Sequence, residues 1–422
     1  MATNEELFRR AERVIPGGVN SPVRAFKAVG GTPYFVARAK GPYVWDVEGR
    51  RFIDLVQSYG AIIAGHAHPT IVEAVQRAAA DGTSYGAPTE REVLLAEAIT
   101  ERVPSCEQVR LVSSGTEATM SAIRVARGFT DRPTVVKFGG NYHGHGDLLL
   151  AEAGSALAAL GLPGSAGVTE GAVRDTRVVA YNVVPELDDR TACVIVEPIA
   201  ANMGLVGPVP GFLEGLRAEC DRVGALLVFD EVITGFRVAR GGAQARASVT
   251  PDLSTFGKVI GGGLPIGAYG GRRDVMAVVA PLGPVYQAGT LSGNPLATAA
   301  GLAALDLLDD DAYVRLARSA QRLADGMAKA FADVGLAALA PVESTLVGLY
   351  LGAEAATDYA SAKHTDEACY ATFFHALLAE GVAIAPGAYE VLFPGLAHTD
   401  DVIDEVVDAV RRAARHAASG VG

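Results

Sequence analysis

The chain has no apolar run approaching the ~20 residues that span a bilayer. Its N-terminus, MATNEELFRRAERV, is polar and charged and has no apolar core of the kind a secretory signal needs. Neither insertion nor export is expected, and a cytoplasmic location follows. Cysteine is sparse: Cys106, Cys193, Cys220 and Cys369 lie far apart and form no CxxC. That usage suits a reducing compartment, although wide spacing alone leaves a disulfide open. Basic residues are also short, 36 Lys and Arg against 48 Asp and Glu, for a formal charge of -12. A general nucleic-acid surface is thereby disfavoured, but a local pocket for a small anion is not. Lysine occurs only at 27, 40, 137, 258, 329 and 363. Of these, Lys258 alone is flanked by a run of glycines, and its local surroundings are nearly free of charge.

What is present is a long globular sequence. Its 422 residues exceed what one core usually organises, and half of them are hydrophobic. Residues 1–64 contain a short helix, the segment PGGVNSPVRAF and short strands at 34–37 and 43–46. Residues 65–311 alternate helix and strand as βαβ units do. RVVAY at 177–181, CVIVE at 193–197 and LLVFD at 226–230 are apolar, β-branched runs of buried-strand type. Thr89 and Glu92 have capping-box spacing at a helix start. Helices are expected at 116–128, 211–223 and 295–309. Residues 312–422 form a third unit, with a long helix, a strand over STLVGLYLG, a helix near 366–380, the short run VAIA and a last helix from 400. The stretch 151–172 is small and Gly-rich. It reads as a lid or as an ordinary surface loop.

Two segments carry the chemistry. LLVFDEVITGFR at 226–237 delivers Asp230 to the end of an apolar strand, and TFGKVIGGGLPIGAYGG at 255–271 delivers Lys258 just after another. In a third, VSSGTEATMSAIRVAR, Ser114, Gly115 and Thr116 stand at a helix start, where free N–H groups and the positive dipole end suit a phosphate. Each element has a plain structural reading as well: a turn aspartate, a solvated lysine, an ordinary helix cap. FDEV lacks a matching His/Asp cluster for a metal, and GGG at 261–263 is not GxGxxG, so a dinucleotide fits poorly. Together, however, an amine, an acid and a phosphate cup match one cofactor, pyridoxal phosphate held as a Schiff base. Asp230 would keep the ring nitrogen protonated, and Lys258 would hold the aldehyde and then serve as base.

The order SSGTEA, NYHGHGD, VEP, LLVFDEVITGFR, FGKVIGGGLPIGAYGG, QAGTLSGNP resembles the fold-type I pyridoxal phosphate enzymes, in the class III aminotransferase branch. PGGVNSPVRAFKAVGG at 16–31, FGGNYHGHGD at 138–147 and APGAYEVLFPGLAHT at 385–399 resemble the glutamate-1-semialdehyde aminomutase family within it. The resemblance runs from about Arg13 to the last helix. It implies an α/β fold: a large domain with a mostly parallel seven-stranded sheet flanked by helices, and a smaller α+β domain from the N- and C-terminal segments. It also implies a pyridoxal/pyridoxamine phosphate cofactor, no metal, and conversion of (S)-4-amino-5-oxopentanoate to 5-aminolevulinate in tetrapyrrole synthesis. A homodimer with shared active sites is implied too, with glutamyl-tRNA reductase as substrate donor.

By the same resemblance Lys258 is the Schiff-base lysine and Asp230 the partner of the ring nitrogen. Ser114, Gly115 and Thr116 form the phosphate cup, Tyr142 stacks on the ring, Glu197 is an acid near the cofactor, and Thr290 reaches the partner subunit's phosphate. Ser21 and Arg24 hold the substrate carboxylate, Ser155 lies in the gating loop, and Glu390 meets substrate amino groups. Members of the family often carry Trp where this chain has Tyr59, which alters the substrate wall. Seen singly, Arg24 and Glu390 are loop charges and Tyr142 a core aromatic. The His66/His68 and His143/His145 pairs read as structural hydrogen bonding and not as zinc ligands. Two rivals remain: an ω- or β-amino-acid aminotransferase of the same fold, and a silent pyridoxal phosphate-fold scaffold. The intact Lys258 and Asp230 speak against the second.

Overall fold

The computed structural model describes residues 2–151 and 165–419. After an N-terminal helix, Asn4–Glu12, come three antiparallel strands: β1 (Val36–Lys40), β2 (Tyr43–Asp46) and β3 (Arg51–Asp54). Seven more form the large sheet: β4 (Gln108–Val112), β5 (Thr134–Phe138), β6 (Thr176–Val179), β7 (Thr191–Val196), β8 (Leu226–Asp230), β9 (Leu253–Gly257) and β10 (Gly267–Gly271). Their order is β4-β10-β9-β8-β7-β5-β6. β10 runs antiparallel to both its neighbours, while every other pairing is parallel.

The central strands read as continuous apolar runs because both faces are covered. Val135, Cys193, Ile195 and Val228 pack on one face with Ala118, Ala122 and Val125 of the helix Gly115–Thr130. Val136, Phe138, Val194, Val196, Leu227 and Phe229 pack on the other with Leu213 and Leu216 of the helix Phe212–Val223. The expected capping box is present: Glu92 accepts from the Thr89 N–H at 2.8 Å.

The strand β10, GAYGG, was not legible, because glycine is a poor strand former. Its glycines answer to close approach. A Cβ at Gly267 would collide with the Ser114 carbonyl, and one at Gly271 with the Asp252 carbonyl. The helix expected at 295–309 is shorter, Pro295–Asp306. Asp309 ends that stretch by capping the next helix, Asp310–Ala332, where its side chain accepts from the Ala312 N–H.

STLVGLYLG is not one strand. It breaks at Gly348, whose N–H donates to the Pro341 carbonyl at 2.9 Å. β11 (Ala338–Leu339), β12 (Val342–Glu343), β13 (Leu346–Val347) and β14 (Tyr350–Leu351) result, paired β11 with β14 and β12 with β13. β15 (Val382–Ala383) then joins β3 in parallel, so chain from both ends shares one sheet. Helices Asp310–Ala332, Glu367–Ala379 and Asp400–Ser419 pack around Phe26, Ile53, Leu55 and Phe373 in a single apolar cluster.

Candidate active site

Ligands of open α/β sheets bind beyond the carboxyl ends of the parallel strands, and the expected residues collect there. β8 ends in Asp230 and β9 is followed directly by Lys258. β4 leads to Ser114 and Gly115, β5 to Tyr142 and His143, and β7 to Glu197. Ser114, Gly115, Thr116, Tyr142, His143, Glu197, Asp230 and Lys258 line one cavity of about 360 Å³.

Asp230 is 4 % exposed. Its Oδ1 accepts from the Thr255 hydroxyl at 3.0 Å and the Val232 N–H at 3.1 Å, and its Oδ2 from His143 Nδ1 at 2.7 Å. His143 is itself buried, and its Nε2 has no hydrogen-bond partner among the described residues. Burial lowers its pKa, outweighing the pull of Asp230. A neutral ring donating through Nδ1 therefore orients the carboxylate. The sequence alone marks His143 only as a structural hydrogen-bonding residue. The signal was its place one residue after Tyr142, but the approach to Asp230, 87 positions away, is tertiary.

Glu197 is equally buried. It accepts from the N–H of Tyr142 at 2.7 Å, the N–H of Ala201 at 2.8 Å and the Asn202 amide at 2.9 Å. Burial, with Asp230 adding its repulsion, still pushes its pKa up to about 7 against those donors. Asn202 also lines the cavity and was not anticipated.

Lys258 is partly accessible from the cavity yet lies deep beneath the outer surface. Desolvation drives its pKa down from the ordinary 10.5; Glu390, Glu197 and Asp230 pull it back, and Arg237 pushes it further down. So its sequence neighbours are uncharged but its spatial neighbours are not. Its backbone is left-handed, φ +48°.

At the head of the helix Gly115–Thr130 the Ser114 hydroxyl accepts from the Glu117 N–H at 3.2 Å. The remaining first-turn N–H groups have no carbonyl a turn earlier, so this helix start would suit an anion in charge and geometry. The donor set thus fits pyridoxal phosphate: an amine, a buried acid, an aromatic ring and a helix N-terminus on one cavity.

Other expected residues stand apart from that lining. Ser21 and Arg24 lie on the turn at Pro22–Ala25, anchored by Phe26, which packs edge-on to Phe374 at 5.1 Å. Arg24 and Glu390 both act electrostatically on Tyr59, and Glu390 on Lys258, so these residues border the same region. Thr290 does not reach the cavity. It is exposed and lines a separate hollow with Tyr85, Thr89 and Glu92 of its own chain. Ser155, and 152–164 of the expected lid, lie outside the described residues. The remainder of that stretch includes a short helix, Glu170–Val173.

Fold and site together define a class-III aminotransferase: the family model "Aminotransferase class-III" matches residues 26–414, and the chain belongs to that family. It is 54% identical to the glutamate-1-semialdehyde 2,1-aminomutase of Laribacter hongkongensis, over 98% of this chain and 99% of that protein. Among solved structures, an omega-transaminase from Sphaerobacter thermophilus superposes with a TM-score of 0.90 at 33% identity, covering 98% of this chain and 97% of its own. A transaminase with PLP bound superposes with a TM-score of 0.87 at 30% identity, covering 100% and 99%.

A depressed lysine pKa has a stability consequence. Between the folded pKa and 10.5 the unfolded chain binds a proton that the folded chain does not. The stabilising share is therefore present above 10.5 and is lost as pH falls toward the folded value. In cofactor-free protein, Lys258→Met removes that loss. Thermal melts at pH 9.5 and 7 should show the variant gaining on the parent toward the lower pH; parallel curves would mean the amine is charged in the fold.

Proposed function

We propose that this chain is a glutamate-1-semialdehyde 2,1-aminomutase, which converts (S)-4-amino-5-oxopentanoate to 5-aminolevulinate by amino transfer within one substrate, using pyridoxal/pyridoxamine phosphate. The observation that carries it is a cavity holding Lys258, Asp230 and a helix N-terminus, in a chain 54% identical to a protein of that name over nearly its whole length. The rival, an ordinary ω-amino-acid aminotransferase, draws on the omega-transaminase likeness at 33% identity.

When bound, the cofactor supplies the electron sink that makes the substrate's Cα–H acidic. The protein does the rest. Asp230, its Oδ2 held by His143, offers a fixed carboxylate for a ring N–H. Burial lowers the pKa of Lys258, which favours the free amine as the base that would move a proton to and from the substrate carbon bearing the amino group. Ser114, Gly115 and Thr116 hold the phosphate, and Tyr142 backs the ring. Arg24, with Ser21, binds the substrate carboxylate, while Glu390 faces the amino groups and Tyr59 forms the wall between them. With the carboxylate anchored, the amino-bearing end can turn between two attachments.

The decisive assay offers glutamate 1-semialdehyde with no amino donor or acceptor. 5-Aminolevulinate should accumulate, and Lys258→Ala should lower turnover by roughly 10³-fold with the fold retained. A strict need for 2-oxoglutarate or another acceptor would establish the aminotransferase instead.

Arg24→Lys keeps the charge but loses the planar fork that grips a carboxylate. KM should rise about tenfold, a loss of ~1.4 kcal/mol, with the cofactor absorbance unchanged. An unaltered KM moves the carboxylate site elsewhere.

The enzyme works as a homodimer with shared sites. Thr290 does not line its own cavity, and in the same stretch of chain Tyr286, Leu291 and Leu282 are 72%, 53% and 74% exposed. Apolar side chains left so open mark a surface that a partner covers. Sedimentation across a dilution series should show a dimer persisting to nanomolar concentration; a fully active monomer would refute the sharing.

A further inference from the structure

Arg237 is the largest fully buried side chain among the described residues, at 0% exposure, and none of the site roles above uses it. It follows Asp230 by seven positions, past the turn that leaves β8. No carboxylate among the described residues forms an ion pair with it; burial disfavours its charge, and Tyr313 only partly offsets that. A buried guanidinium without a counter-ion is costly, since each N–H must be satisfied by neutral acceptors. Two are. Nη1 donates to the Gly60 carbonyl at 3.4 Å and Nη2 to the Pro394 carbonyl at 3.0 Å, while the plane sits 4.9 Å from the Phe393 ring centroid. Nε has no partner among the described residues.

The two carbonyls belong to the two loops that carry Tyr59 and Glu390. The first loop is strained. Gln57, Ser58 and Tyr59 have φ of +45°, +53° and +55°, and Gly60 follows at +94°. Three consecutive non-glycine residues in the left-handed region cost of order 1–3 kcal/mol each and persist only where the surroundings over-determine them. Asp54 holds the start of this turn, accepting from the N–H of Val56 at 2.9 Å and of Gln57 at 3.2 Å. Arg237 holds its end. Phe393 closes the gap: a Cβ on Gly60 would lie 2.8 Å from its ring.

We propose that Arg237 is a positioning residue of the substrate wall: its guanidinium bridges the carbonyls of Gly60 and Pro394 and thereby fixes the strained turn bearing Tyr59 against the loop bearing Glu390. The proposal rests on the reading of Tyr59 and Glu390 as substrate-facing. Because the fork joins both loops, neither can move without breaking a buried charge-assisted bond, and the distance between the two side chains is set from behind the site.

The test uses Arg237→Met and Arg237→Lys as cofactor-loaded protein. Methionine fills similar volume without an unpaired cation, and lysine can reach only one of the two carbonyls. Amide hydrogen exchange is read first, with no substrate. Exchange at residues 57–62 and 390–396 should rise at least tenfold in Arg237→Met, leaving the helix Phe212–Val223 unchanged. KM for glutamate 1-semialdehyde should rise at least tenfold with kcat within threefold of the parent, and Arg237→Lys should recover part of that change. Should Arg237→Met fail to fold, the same readouts on Arg237→Lys decide. Unchanged exchange in both loops, or a rise spread over the whole chain, overturns the proposal. Turnover failing in the parent enzyme would instead overturn the function reading, and the exchange result would still stand.

Discussion

The burial of Asp230 at the end of a central parallel strand is the constraint around which the site is built. A carboxylate placed there must be solvated by the protein, and it is, by His143, Thr255 and the Val232 N–H. Satisfying it draws together β5, β8 and β9, the strands that also deliver Tyr142 and Lys258. The same crowding makes the site acidic below the cavity. Glu197 is pushed up to about 7 partly because Asp230 lies near. Asp230 would match the charge of a protonated ring nitrogen in advance, as a preorganised site supports charge without reorganising.

Opposing terms set the state of Lys258. Burial and Arg237 disfavour the ammonium, while Glu390, Glu197 and Asp230 favour it, and the net effect is to lower the pKa of the amine. An amine that must serve as nucleophile and base gains from such a balance, since small changes in the surrounding charge move the proton. The left-handed backbone at Lys258 adds a local cost at the position where chemistry is concentrated.

The wall of the site is held from outside it. Phe26 anchors the turn with Arg24, Asp54 and Arg237 clamp the turn with Tyr59, and β15 leads into the loop with Glu390. Chain segments separated by more than 300 residues meet here, as in the pairing of Val382 with Ile53. Arg237, seven residues past the end of β8, ties the large sheet to these segments from both chain ends.

The apolar runs at 193–197 and 226–230, the capping box at Thr89, and the acid and amine at their strand ends were all legible in the sequence. Each depends on local pattern and period, and the family motifs spell out their order. The glycine strand β10, the break at Gly348 and the shortened helix ending at Asp306 were not. There, close backbone approach or a competing cap overrode propensity. His143, Asn202 and Arg237 entered the site only through contacts. His143 meets Asp230 across 87 positions and Arg237 meets Gly60 across 177. Residue type and spacing determined which groups could do chemistry. Which of them are desolvated, paired or left charged depends on burial, and burial exists only once distant segments have packed.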